Sequence, residues 1–129
     1  MTRHLLAVDL KDDPGVVEAY EAHHRRVWPE VLRSLRRAGI ADMQIYRLGR
    51  RLVMVVDMAP GRDFRRAFAQ HVASDPRVAE WEALMKSMQQ PAAGSAAGEW
   101  WAVMQPVFDL NDHADADAAQ PRPGSARRA

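Results

Sequence analysis

At 129 residues, with 47% apolar side chains and a net charge of +1 from eighteen basic and seventeen acidic residues, the chain has the size of one domain with an ordinary hydrophobic core. The balanced charge gives no electrostatic case for nucleic acid or an anionic membrane as a partner, and the absence of cysteine removes disulfides, thiolate metal sites and thiol nucleophiles. The start, Met1-Thr2-Arg3-His4, carries neither a signal-peptide pattern nor a membrane-length apolar run, so a cytoplasmic protein is expected.

Residues 3–10 read as a strand with Leu6, Val8 and Leu10 on one face. Lys11 to Gly15 supply turn chemistry, with Pro14 at a helix entrance. From Val16 to about Val27 the pattern is helical, and Val16, Tyr20 and His24 recur at four-residue steps on one face. Pro29 breaks that run. Glu30 to Ala38 continues helically, with Val31, Leu32 and Leu35 inward and Gly39 as the C-terminal cap. Met43–Leu48 and Leu52–Met58 are strands joined by a Gly49-Arg50 hairpin, the second apolar on both faces except at Asp57. After Pro60-Gly61, Asp63 caps a helix whose stripe is Phe64, Ala67, Phe68, His71 and Val72. Asp75 and Pro76 start a last helix, with Val78, Trp81, Met85 and Met88 along one face. Pro91–Gly98 is a loop of small residues, and Trp100–Leu110 reads as a closing strand in which Pro106 marks an edge or bulge.

The order strand, helices, strand, strand, helices, strand is the ferredoxin-like split β-α-β-β-α-β pattern, an α+β fold with helices on one face of an antiparallel sheet. A domain over residues 1–112 is expected. Residues 113–129, rich in Ala, Asp, Pro, Gly, Ser and Arg, are expected to form a disordered tail. Helices cover one sheet face, yet the strand at 52–58 is apolar on both, so the second face needs a cover. A second copy of the chain, packed sheet to sheet, is the simplest, which predicts a homodimer.

The chemistry-bearing residues are few. Tyr20 and His24, four apart on one helix, point to the same side; an imidazole with an ordinary pKa of about 6.5 gives and takes protons near neutrality, and a phenol beside it can donate to a ligand oxygen. Spacing alone equally fits a helix-face Tyr and a half-exposed His. Trp28 and Trp81 offer apolar faces, although Trp81 on its stripe also reads as core. Trp100 and Trp101 alternate, one toward the core and one toward an interface. His23 points a quarter-turn away from His24, too close in sequence for a helical metal pair, and His71 reads as a satisfied buried histidine. Neither a phosphate-cradling glycine loop nor a dinucleotide fingerprint occurs, so no cofactor is indicated.

The segment Glu18-Ala19-Tyr20-Glu21-Ala22-His23-His24-Arg25-Arg26-Val27-Trp28-Pro29-Glu30 resembles the signature of the L-rhamnose mutarotase family: a Tyr, a His four on, then Trp-Pro-Glu, after the first strand. Ala38-Gly39 before a strand with Ile45-Tyr46, Ser74-Asp75-Pro76 leading to Trp81, and the closing Val107-Phe108-Asp109-Leu110 extend the resemblance across residues 3–110. The resemblance implies a dimeric, cofactor-free enzyme that interconverts the anomers of a 6-deoxyhexose, L-rhamnose or L-fucose. It also implies His24 as proton donor, with Tyr20 and Trp81 against the monosaccharide. Two positions depart from the pattern. Glu82 stands where rhamnose enzymes carry a second tryptophan, and Met43 where they carry an aromatic, so both are expected at the substrate and sugar preference is left open. The same fold hosts small oxygenases, haem-handling proteins and non-catalytic sugar-binding modules, which are the alternative readings.

Overall fold

A computed structural model describes residues 2–113 of the chain. The elements are β1 (Thr2–Leu10), α1 (Val16–His24), α2 (Pro29–Arg37), β2 (Ile40–Leu48), β3 (Arg51–Met58), α3 (Phe64–Ala73), α4 (Pro76–Met88), β4 (Gln89–Gln90) and β5 (Ala102–Val103), followed by a one-turn 3-10 helix, Leu110–His113. The sheet is antiparallel in the order β2-β3-β1-β4, with β5 also on β1. This is the expected ferredoxin-like order, with the helices on one face. Beyond His113, the tail expected over 113–129 lies outside the described residues.

Local chemistry explains the element boundaries. Asp63 accepts from the Arg66 N–H at the start of α3, and Asp75 accepts from the Arg77 N–H where Pro76 begins α4. Trp28 is extended (φ −62°, ψ 137°) because the residue before a proline is pushed out of the helical region. The first helix ends at His24, with Arg25 as its C-cap, three residues short of the expected Val27. The β2–β3 turn is Gly49-Arg50 between the paired Leu48 and Arg51, with a positive φ (60°) at Gly49 alone, where glycine meets no Cβ penalty. β2 begins at Ile40 rather than Met43 and carries an irregularity between Ile40 and Asp42.

Alternation then sorts the side chains. Leu6, Val8 and Leu10 of β1 and Leu52, Met54, Val56 and Met58 of β3 are buried beneath the helices with Val31, Val78, Trp81 and Met85. On the opposite face, Leu5, Val53 and Val55 are only partly covered, Tyr46 and Leu48 are exposed, and Arg3 forms a two-pronged ion pair with Asp57 (2.8 and 3.0 Å).

The fourth strand departs from expectation. Instead of one run over Trp100–Leu110, the free edge of β1 is shared: Gln89-Gln90 pair with Leu10 and Asp9, and Ala102-Val103 pair with Ala7 and Leu6. The Met104 N–H to Leu5 carbonyl bond (2.8 Å) is the last on this edge. Pro106 has no N–H to continue it, and Val107, Phe108 and Leu110 leave the sheet exposed. Because Trp100 and Trp101 precede the strand instead of alternating within it, both pack against the core.

His71 is the satisfied buried histidine that its place on α3 predicts. Ser74 Oγ donates to the His71 carbonyl (2.8 Å), Ser34 Oγ then donates to Ser74 Oγ (2.9 Å), and His71 Nδ1–H donates to Ser34 Oγ (2.7 Å), tying α2 to α3. Burial lowers the pKa of this imidazole. The unfolded chain therefore binds the proton more readily, and the stabilisation present above about pH 6.5 is lost as pH falls through the folded-state pKa. We expect the urea midpoint to drop between pH 7 and pH 5, and His71→Asn to drop less steeply; equal slopes would contradict this role.

Candidate active site

The helices and the sheet do not close completely over one another. A cavity of about 970 Å³ lies between them, lined from α1, α2, β2, α3, α4 and the segment around Trp100. That is the upper end of the range for small-molecule sites, about 300–1,000 Å³. Tyr20, His24, Trp81, Glu82 and Met43 all line it.

α1 supplies His24, the candidate acid–base group. The ring Nδ1 of His24 lies 2.9 Å from the Tyr20 carbonyl oxygen. A carbonyl only accepts, so Nδ1 carries a proton and Nε2 is the nitrogen left to exchange one. The ring stacks at a tilt on Tyr20 (4.4 Å between centroids, 32°) and meets Trp81 edge-on (5.5 Å, 70°). Burial lowers the His24 pKa, opposed by the Tyr20 carbonyl and assisted by neighbouring His23.

Tyr20 is buried, and its phenol is pushed up to about 12, chiefly by burial. Its hydroxyl is therefore a proton-bearing hydrogen-bonding group throughout the neutral range. Gln89 Nε2 donates to it (3.1 Å), and Trp100 Nε1 donates to Gln89 Oε1 (2.8 Å). Neither Gln89 nor its bond to Trp100 was legible in the sequence, which offered no spacing to connect residues 69 and 11 positions apart.

α4 contributes two walls. Trp81 is braced by Trp28 (5.2 Å, 70°), itself capped by the Arg77 guanidinium 3.8 Å from its ring centre. Trp81 is thus both the core residue of its stripe and a cavity wall. Glu82 beside it is half-buried, and burial raises its carboxyl pKa against the opposing charge of Lys86. Met43 and Ile45 present apolar side chains from the helix-facing side of β2, and Arg47 on the same side pairs with Glu21 of α1 at 2.6 Å. Among the described residues, no group of three or more His, Asp or Glu side chains is disposed to hold a metal ion.

An imidazole and a carboxyl whose proton affinities are both shifted by burial, beside a buried phenol and an indole wall, make this cavity a candidate site for proton transfer on a small polar ligand. The profile of the L-rhamnose mutarotase family matches residues 3–110. The L-fucose mutarotase of Xanthomonas campestris pv. campestris is 44% identical over 115 residues, covering 87% of this chain and 90% of that protein. The L-rhamnose mutarotase of Burkholderia ambifaria is 29% identical over 98 residues, 76% of this chain and 89% of its own. In fold, the chain is similar to the crystal structure of an L-rhamnose mutarotase from Formosa agariphila, with a TM-score of 0.60 at 18% identity over 84% of this chain and 98% of that one. The chain belongs to the L-rhamnose mutarotase family, and it is a sugar mutarotase, an isomerase acting on carbohydrate.

Proposed function

We propose that His24 and Glu82 are the acid–base pair of this mutarotase, that Tyr20, Trp81 and Met43 hold the sugar, and that L-fucose is the preferred 6-deoxyhexose. The observation that carries the pairing is the opposite effect of burial on two groups in one cavity: His24 is pushed down from 6.5 and Glu82 up from 4.5. Burial thus moves their proton affinities toward one another, which favours the exchange of a proton between the two groups during turnover.

Ring opening needs that reciprocity. The Glu82 carboxylate takes the proton of the anomeric hydroxyl while the C1–ring-oxygen bond breaks, its electron pair going to the ring oxygen. The ring oxygen takes the proton from Nε2 of the His24 imidazolium. After rotation about C1–C2, the ring hydroxyl returns its proton to Nε2 and attacks the other carbonyl face, and Glu82 gives its proton to the carbonyl oxygen. No proton is gained or lost over the cycle, and no oxidant or reductant is consumed. Trp81 and Met43 provide apolar surface for the C–H face and methyl group of the sugar. The preference for L-fucose is supported by the 44% identity to the Xanthomonas enzyme and by Glu82 and Met43, where an acidic and a flexible apolar side chain replace aromatic walls.

Saturation-transfer NMR on L-fucose and L-rhamnose tests this reading. Wild type is expected to speed anomer exchange, faster for L-fucose. His24→Ala and Glu82→Gln are each expected to lower the enzymatic rate by about 10²–10⁴-fold with the fold retained. Near-normal turnover in either variant would remove that residue from the mechanism; no enhancement by wild type would favour a sugar-binding module.

We also propose a homodimer, formed through the sheet face that carries Leu5, Val53, Val55, Tyr46 and Leu48, with the exposed Val107, Phe108 and Leu110 extending the apolar contact. Among the described residues no helix is long and apolar enough to cross a membrane. Free monosaccharides as substrates fit a cytoplasmic enzyme, with the domain spanning 1–112. Light scattering is expected to give twice the chain mass, and Val55→Arg to give a monomer; an unchanged mass would exclude this face.

A further inference from the structure

The cavity wall contains a directional chain of hydrogen bonds that the acid–base chemistry does not itself require. Gln89, 1% exposed at the junction of α4 and β4, joins the indole of Trp100 to the phenol of Tyr20. Indole Nε1–H can only donate, so the atom of the Gln89 amide that faces it at 2.8 Å must be Oε1. The amide is planar and its other end faces Tyr20, so Nε2, which also only donates, meets the hydroxyl oxygen at 3.1 Å. The hydroxyl therefore accepts from Gln89, and its single proton is left for a different partner.

We propose that Gln89 and Trp100 are positioning residues that polarise the Tyr20 hydroxyl, so that its proton is presented to a sugar oxygen in the cavity. This deepens the mutarotase reading and rests on it for the identity of the acceptor. The direction of the chain originates at Trp100. Without the indole N–H the buried amide is free to turn over, Oε1 then faces Tyr20, and the phenol proton goes to Gln89 instead of the ligand. A leucine or methionine would fill the same volume without needing partners; a buried amide is retained only where its donors and acceptor are matched.

Gln89→Glu separates polarity from packing, since it is nearly isosteric. The introduced carboxyl, when protonated, accepts from Trp100 and donates to Tyr20, preserving the chain; when ionised it accepts from both and draws the phenol proton away. The ionisable side chains that line the cavity with it are Tyr20, Glu21 and His24 of α1, Arg36 of α2, Asp42, Tyr46 and Arg47 of β2, Arg65 and His71 of α3, and Glu82 and Lys86 of α4. All are common to wild type and variant, so the ratio of their exchange rates isolates position 89. That ratio is expected to fall by about tenfold as pH rises through the carboxyl titration, the loss of roughly one hydrogen bond to the ligand. Trp100→Phe is expected to lower exchange by about tenfold and to add nothing to the loss in Tyr20→Phe, as two residues acting through one hydroxyl should.

A spectroscopic arm is independent of turnover. The chain has two tyrosines, so Tyr46→Phe leaves Tyr20 alone, and the Raman doublet of the phenol distinguishes an accepting from a donating hydroxyl. Accepting character in that background, changed to donating only on adding Trp100→Phe, is expected. A pH-independent Gln89→Glu ratio, additive losses for Trp100 and Tyr20, or a Raman doublet unmoved by Trp100→Phe would overturn the proposal. If wild type does not speed exchange at all, the mutarotase reading fails, and the Raman comparison still decides the hydrogen-bond direction.

Discussion

A backbone carbonyl oxygen has two lone pairs, and at Tyr20 in α1 it receives the ring Nδ1–H of His24. The contact is four residues long and local to one helix, yet the rest of the site depends on it. It selects the tautomer, fixes the ring plane against Tyr20 and Trp81, and leaves Nε2 without that partner, free for the proposed proton exchange. Had the ring turned over, Cδ2 would take the place of Nδ1 opposite the carbonyl, and the N–H bond that fixes the tautomer would be lost. The surrounding packing opposes that: Trp81 meets the imidazole edge-on, Trp28 braces Trp81, and Arg77 covers Trp28.

The cavity itself follows from the fold. Helices seated on one face of an antiparallel sheet bury Leu6, Val8, Leu52, Met54 and Val56 beneath them, and the gap left between helix layer and β2 is where Tyr20, His24, Glu82 and Met43 meet. Low exposure to water is what gives these groups their chemistry. It discourages charge on both His24 and Glu82, moving the proton affinity of the imidazole down and that of the carboxyl up, while it keeps the Tyr20 phenol protonated far above neutrality. On the proposed mechanism, a reaction that only moves protons around a hemiacetal uses such a pair in both directions of the cycle.

Much of this architecture was legible in the sequence because the signals are local. Apolar residues at alternate positions in β1 and at three- and four-residue steps in α4, Asp63 and Asp75 before helices, Pro29 after Trp28 and Gly49 in the hairpin all act through neighbours a few positions away. The Tyr20/His24 pair was visible for the same reason, although only the resemblance joined it to Trp81, Glu82 and Met43. The errors lie where the deciding partner is distant. Trp100–Leu110 alternates like a strand, but the β1 edge available to it is divided with Gln89-Gln90, and Pro106 offers no donor beyond that point. Gln89 carries no local signal, because its hydrogen-bond partner Tyr20 lies 69 positions away in the chain.

The state of the His24 ring, read by nitrogen NMR through a pH titration of the sugar-free protein, tests the proposed chemistry most directly, with His24→Ala to assign the signal. The expected result is an imidazole protonated at Nδ1 in its neutral form, titrating below the ordinary value of 6.5. A neutral ring protonated at Nε2, or a titration at or above 6.5, would contradict it, since His24 would then be neither oriented by the Tyr20 carbonyl nor brought toward Glu82 by burial.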